Sequence, residues 1–122
     1  MRDHRKLRAF HLADTLAVAV YTHTALFPRG EQFGLVSQMR RAAVSVASNI
    51  VEGCARETQA DYVRFLTIAF GSAKELEYQI SLSHRLGFLS TAESQRLEAA
   101  CSDACKTLNG LIRALKPSAP SR

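Results

Sequence analysis

The residues here whose chemistry reaches beyond packing are three cysteines, four histidines and a surplus of arginine and lysine. Cys101 and Cys105 stand four apart, so on a helix they share one face. That spacing is half of a metal site or a redox pair. It is equally the spacing of small buried residues on a helix seam. No neighbouring His or Cys completes a ligand set, because His84 is the nearest histidine in sequence. Cys54 stands alone, and an odd count with no secretory leader argues against a disulfide framework. His4, His11, His23 and His84 are scattered and are expected to be solvated or incidental. Glu52, Glu75 and Glu77 have no His at ligand spacing, so the Glu-x-x-His pair of a di-iron bundle is missing. Gly30 and Gly34 do not build a phosphate loop, and no serine sits in a Gly-x-Ser-x-Gly elbow. The expectation is a non-enzyme with no catalytic residue, no cofactor and no metal.

The basic residues carry more. Lys and Arg number 16 against 11 Asp and Glu, a net charge of +5. Arg2, Arg5, Lys6 and Arg8 cluster at the start; Lys106, Arg113, Lys116 and Arg122 lie near the end. Arg40, Arg41, Arg56 and Arg64 surround the second helical segment and the start of the third. These four are the candidate nucleic-acid contacts, because a basic surface neutralises phosphates without reading bases. The other reading is a solvated helix face with surplus arginine. No helix-turn-helix, zinc-finger or RNA-recognition motif is present.

Four segments of helical periodicity must position these groups, and almost nothing reads as strand. The first spans about 5–26, with Ala9, Phe10, Ala13, Leu16, Ala17, Val20 and Tyr21 on one side. Phe27-Pro28-Arg29-Gly30 ends it. The second spans about 31–53, with Gly53 as its expected stop. The third opens at Thr58, an N-cap with Asp61 as a weak capping-box partner, and Gly87 stops it. Its inner face is Tyr62, Phe65, Leu66, Ala69, Ala73, Leu76, Ile80 and Ser83, and Gly71-Ser72 reads as a close-packing site. The fourth opens at Ser90 with Glu93 in the capping-box position, and its seam is Leu97, Cys101, Ala104, Leu108, Leu111, Ile112 and Leu115. Short connections predict an all-α, antiparallel up-down four-helix bundle: one domain over 1–116 and a disordered tail over 117–122. No run approaches the ~18 apolar residues of a membrane span, and the charged N-terminus lacks the apolar core of a signal peptide. The expected location is cytoplasmic, with no membrane partner.

The second helix is unusual. At 100° steps Gln38, Arg41, Ser45, Asn49, Glu52 and, if the helix continues that far, Arg56 form one narrow polar stripe. Leu35, Met39, Ala42, Ala43, Val46 and Ile50 cover one side, and Val36, Val44, Ala47 and Val51 carry apolar surface further round. An arc wider than ~100° means burial on more than one side. The second side is either another subunit, with Val36, Ala43, Val44, Ala47 and Val51 at the interface, or a helix central to its own bundle. The stripe is either a buried network, in which Arg41 pairs with a carboxylate such as Glu77, or a ligand groove.

These residues also form a recognisable pattern. The run from Phe27 to Gly53 carries Phe27-Pro28, Gly34-Leu35, Arg40-Arg41-Ala42-Ala43, Ser48-Asn49-Ile50 and Glu52-Gly53. The stretch Tyr62–Gln79 adds Gly71-Ser72 and Glu75-Leu76-Glu77, and Leu86-Gly87-Phe88-Leu89 follows. Together they resemble the four-helix bundle proteins of intervening sequences in bacterial large-subunit ribosomal RNA genes. The pattern is also similar to the accessory variability proteins of diversity-generating retroelements. Val51-Glu52-Gly53 stands where Ala-Glu-Gly is usual, and Cys54 takes a variable small position. The resemblance implies a homopentameric ring of up-down bundles, with RNA or a reverse transcriptase as partner and no catalytic residue to carry over. The expected function is accessory RNA binding through a basic surface; the alternative is a protein-interaction scaffold with no nucleic-acid role.

Overall fold

The computed structural model describes residues 2–117. The chain opens with a 3-10 turn, His4–Lys6, closed by Asp3, whose carboxylate accepts from the Arg5 amide at 3.0 Å. Extended backbone at Leu7 then breaks the register, so the first segment is two pieces and α1 begins only at Arg8 (Arg8–Thr24). A second 3-10 turn, Arg29–Glu31, follows Pro28 and precedes α2 (Leu35–Cys54). No side chain of the Gly34 N-cap can cap α2, and Glu31 fills that role by accepting from the Leu35 amide. Then come α3 (Gln59–Arg85) and α4 (Thr91–Leu115). The expected tail lies, from residue 118 on, outside the described residues.

Capping follows the sequence closely at α4. Ser90 Oγ accepts from the Glu93 amide and the Glu93 carboxylate accepts from the Ser90 amide, a full capping box. At α3 the Thr58 hydroxyl accepts from the Asp61 amide, but the Asp61 side chain turns to Arg64 instead of completing a box. Gly87 takes φ of 82°, the left-handed conformation that stops α3.

The helices form a four-membered ring: α1 packs on α2 and α4, and α3 packs on α2 and α4. One apolar cluster fills the middle, with Leu16, Met39, Ile50, Leu66, Leu76, Ile80, Leu97 and Leu108 fully enclosed. Each such side chain contributes about 1.5–3 kcal/mol relative to exposure. This is the all-α four-helix bundle expected. Because α2 packs on two neighbours, its wide apolar arc is largely consumed inside its own bundle.

Two glycines are corrected. Gly53 lies within α2 and does not stop it. A Cβ there would stand 2.9 Å from the Phe65 Cβ and 3.3 Å from the Tyr62 carbonyl, so Gly53 is small because α3 crosses close by. Gly71 is the reverse: a Cβ there would meet nothing within 4 Å, so it is no close-packing site.

Candidate nucleic-acid interface

The four candidate arginines do not make one patch. Arg40 lies in α2 and Arg56 two residues past its last residue, so at ~1.5 Å of rise per residue about 21 Å of helix lies between Arg40 and the end that carries Arg56. Arg56 and Arg64 meet at the α2–α3 end, where each guanidinium lies 4.6 Å from the centre of the Phe65 ring. Phe65, expected on the inner face of α3, is therefore half-buried beneath two cations. Both cations also have carboxylates: Arg56 pairs with Glu52, and Arg64 lies 3.6 Å from Asp61. Arg2 joins this end, stacked 4.2 Å over Tyr62 and donating to the Arg56 carbonyl at 3.0 Å. Burial pushes the Tyr62 phenol up to about 12, helped by the adjacent Cys54 thiol, so it stays neutral.

Arg40 is built differently. Its Nε donates to the Thr24 hydroxyl at 3.0 Å, and an Nη donates to the Tyr21 carbonyl at 3.4 Å. Thr24 is buried and gives its own proton to the Val20 carbonyl at 2.7 Å, so toward Arg40 it acts as acceptor. The guanidinium lies 4.5 Å from the Tyr21 ring centre. Two of its five N–H groups are thereby used, and the other three have no acceptor among the described residues. Among the described residues no carboxylate lies within ion-pair distance of it. Arg40 borders an open cleft of about 400 Å³ at the α1–α2 turn, lined also by Thr24, Phe27, Arg29, Gln32 and Val36. Tyr21, assigned by periodicity to the inner seam of α1, is an exposed platform for this cation.

The polar stripe of α2 is a ladder of mostly local bonds. Arg41 donates to Gln38. Asn49 Nδ2 donates to the Ser45 carbonyl at 2.8 Å and the Ser45 hydroxyl at 3.0 Å. One rung crosses to α3, where the Ser45 and Ser72 hydroxyls stand 2.9 Å apart. The expected Arg41–Glu77 pair does not form, because Lys74, one turn before Glu77, takes that carboxylate at 2.9 Å. The stripe is half-exposed at Ser45 and Asn49 and open at Gln38, Arg41 and Glu52, so within its own bundle it is not buried.

The apolar candidates also separate. Val36 and Ala43 are buried in the core of their own bundle and face no outer surface. Val44 and Val51 are 42% and 37% exposed, with Ala47 partly buried between them. Phe10, Ala47, Ser48 and Val51 line an outer groove of about 480 Å³ that ends at Glu52 and Arg56.

Cys101 and Cys105 lie on the buried seam of α4, with the Cys101 thiol donating to the Ala73 carbonyl at 3.2 Å. The neighbouring Cys105 sulfur and burial together push the Cys101 thiol up, so it stays protonated. Among the described residues no group of three or more His, Cys, Asp or Glu is placed to hold a metal ion, and no helix is long and apolar enough to cross a membrane. The histidines are not idle. His23 Nδ1 lies 3.2 Å from Glu93 and joins α1 to α4, and His11 Nε2 lies 2.6 Å from the Arg5 carbonyl.

Residues 5–110 match the family model described as 23S rRNA-intervening sequence protein. A crystal structure of a protein of unknown function from the S23 ribosomal protein family of Bacteroides thetaiotaomicron has the same fold. It superposes with a TM-score of 0.79 at 24% identity, covering 86% of this chain and 95% of that one. No curated protein matches the chain.

Proposed function

The chain belongs to the 23S rRNA-intervening sequence protein family, and from that premise we propose that it is a non-enzymatic, self-assembling RNA-binding protein. The observation that carries the reading is Arg40. A guanidinium fixed by a tyrosine face, a buried hydroxyl and a carbonyl, with no carboxylate beside it, is preorganised for a phosphate. The basic excess of the whole chain, +5, would draw a polyanion to it. Contacts of this kind hold phosphate and leave base identity unread.

Self-assembly has separate support. Val44, Ala47 and Val51 form an outward apolar row beside the Phe10 groove, on the face of α2 that its own bundle does not cover. The family resemblance makes five the expected number of copies. Fluorescence anisotropy of the purified protein with a structured RNA, repeated across salt, tests the reading. Binding that weakens steeply with salt is expected, as counterions are released from several phosphates. Absence of binding at low salt would leave the charge serving solubility and turn attention to a protein partner.

A further inference from the structure

Stacking on a nucleobase requires a flat side chain held in water close to a cation, and the α1–α2 connection has one. Phe33 is 91% exposed, and Leu26, across the same connection, is 84% exposed. They are the two most exposed large apolar side chains among the described residues. Phe27 turns into the core of the bundle, while Leu26 before it and Phe33 beyond the 3-10 turn stay outside the apolar cluster. Phe33 directly follows Gln32, which lines the cleft that Arg29 and Arg40 border. One exposed apolar residue is ordinary; two in one short connection, each next in sequence to a residue lining a cleft with two arginines, is an arrangement with a chemistry.

We propose that the α1–α2 connection binds unpaired RNA, with Phe33 stacking on a base and Arg29 and Arg40 holding adjacent phosphates. The inference rests on the RNA-binding reading above and names the form of RNA. Bases within a duplex are stacked on one another, and the A-form major groove is too deep and narrow to admit a side chain. Only a single strand, loop or bulge presents a free base face to Phe33. Such stacking tolerates any base, because every base has a π-face, which suits contacts that carry no base readout.

The charge around the cleft points the same way. Of the carboxylates near this end, Glu31 accepts from the Leu35 amide at the start of α2. Glu93 is held by the Ser90 amide and by His23. Arg29 and Arg40 have no carboxylate within ion-pair distance among the described residues. An acidic or phosphate-bearing strand is favoured there over an apolar protein surface.

The test is anisotropy at fixed salt with a short unstructured oligoribonucleotide and with the same strand annealed to its complement. Wild-type protein, Phe33→Ala and Phe33→Tyr are compared, with light scattering on each. The wild type should prefer the unpaired strand. Phe33→Ala should weaken that binding about tenfold, Phe33→Tyr should retain it, and duplex binding should not move. Equal binding of both RNAs with no effect of Phe33→Ala overturns the inference and leaves the RNA reading standing. Failure of the wild type to bind either RNA overturns both. A change in particle size for Phe33→Ala with RNA binding intact would make Phe33 a contact between copies and overturn the inference.

Discussion

The two ends of the bundle treat arginine in opposite ways. At the α2–α3 end Arg56 and Arg64 cover the Phe65 ring, and each has its own carboxylate in Glu52 or Asp61. At the α1–α2 end Arg40 stacks on Tyr21, pairs with no carboxylate among the described residues, and borders an open cleft. Aromatic stacking occurs at both ends and so does not distinguish them. What differs is where the positive charge is spent. The first end uses it to tie the N-terminus, α2 and α3 together, with Arg2 as the strap. The second leaves it available to something outside the chain. A count of arginines cannot separate a clamp from a docking point; the neighbouring carboxylates do.

The largest effect is expected at Gly53, in the clamped end of the bundle. Gly53→Leu pushes a side chain into Phe65 and Tyr62, where even a Cβ would be too close. Overpacking of this kind costs about 3 kcal/mol, and the melting temperature should fall on the order of 10 °C. Thermal denaturation followed by circular dichroism measures it. RNA affinity below the melting transition should be unchanged, since the Arg40 end is untouched. A folded Gly53→Leu protein that no longer binds RNA would move the site to the α2–α3 end.

A smaller effect sharpens the other end. Ser90→Ala removes the α4 cap and should cost about 1 kcal/mol, read as a drop of a few degrees in Tm. Its partner Glu93 adds a pH dependence. Hydrogen bonds from the Ser90 backbone and side chain, then from His23, hold its carboxyl below the usual carboxylate range. A lowered carboxyl stabilises the fold above its ordinary titration range, and that contribution is lost as pH falls through its folded value. The acid limb of Tm against pH should therefore be shallower in Glu93→Gln than in the wild type. Parallel curves would show that the box adds nothing through charge.

Helical periodicity and cap residues made much of this legible before any coordinates. Ser90 with Glu93, Thr58 and Gly87 mark boundaries that the helices obey, and most of the predicted inner faces are buried. The errors share one cause: periodicity says which residues lie together on a helix, not what lies opposite. Tyr21 and Phe65 fall on apolar seams by spacing, yet Tyr21 ends beneath Arg40 of α2 and Phe65 beneath Arg56 of the α2–α3 connection, partners that no local pattern announces. Val36 and Ala43 looked available to another subunit because the arc of α2 was wide, and the two flanking helices cover that part of it while leaving Val44 and Val51 outside. Gly53 read as a stop because glycine often is one, whereas the approach of α3 is what requires it. The cleft at Arg40 brings together residues from α1, the connection and α2, and only the turn at Pro28 joins them.

The most direct test of the central claim is the salt dependence of RNA binding in Arg40→Gln and Arg56→Gln, measured side by side with the wild type. Loss of one phosphate contact should lower the slope of log affinity against log salt by about one. Arg40→Gln should show this reduction, together with weaker binding, while Arg56→Gln should keep the wild-type slope and lose only thermal stability. The reverse pattern, with Arg56→Gln losing the contact and Arg40→Gln binding like the wild type, would contradict that claim.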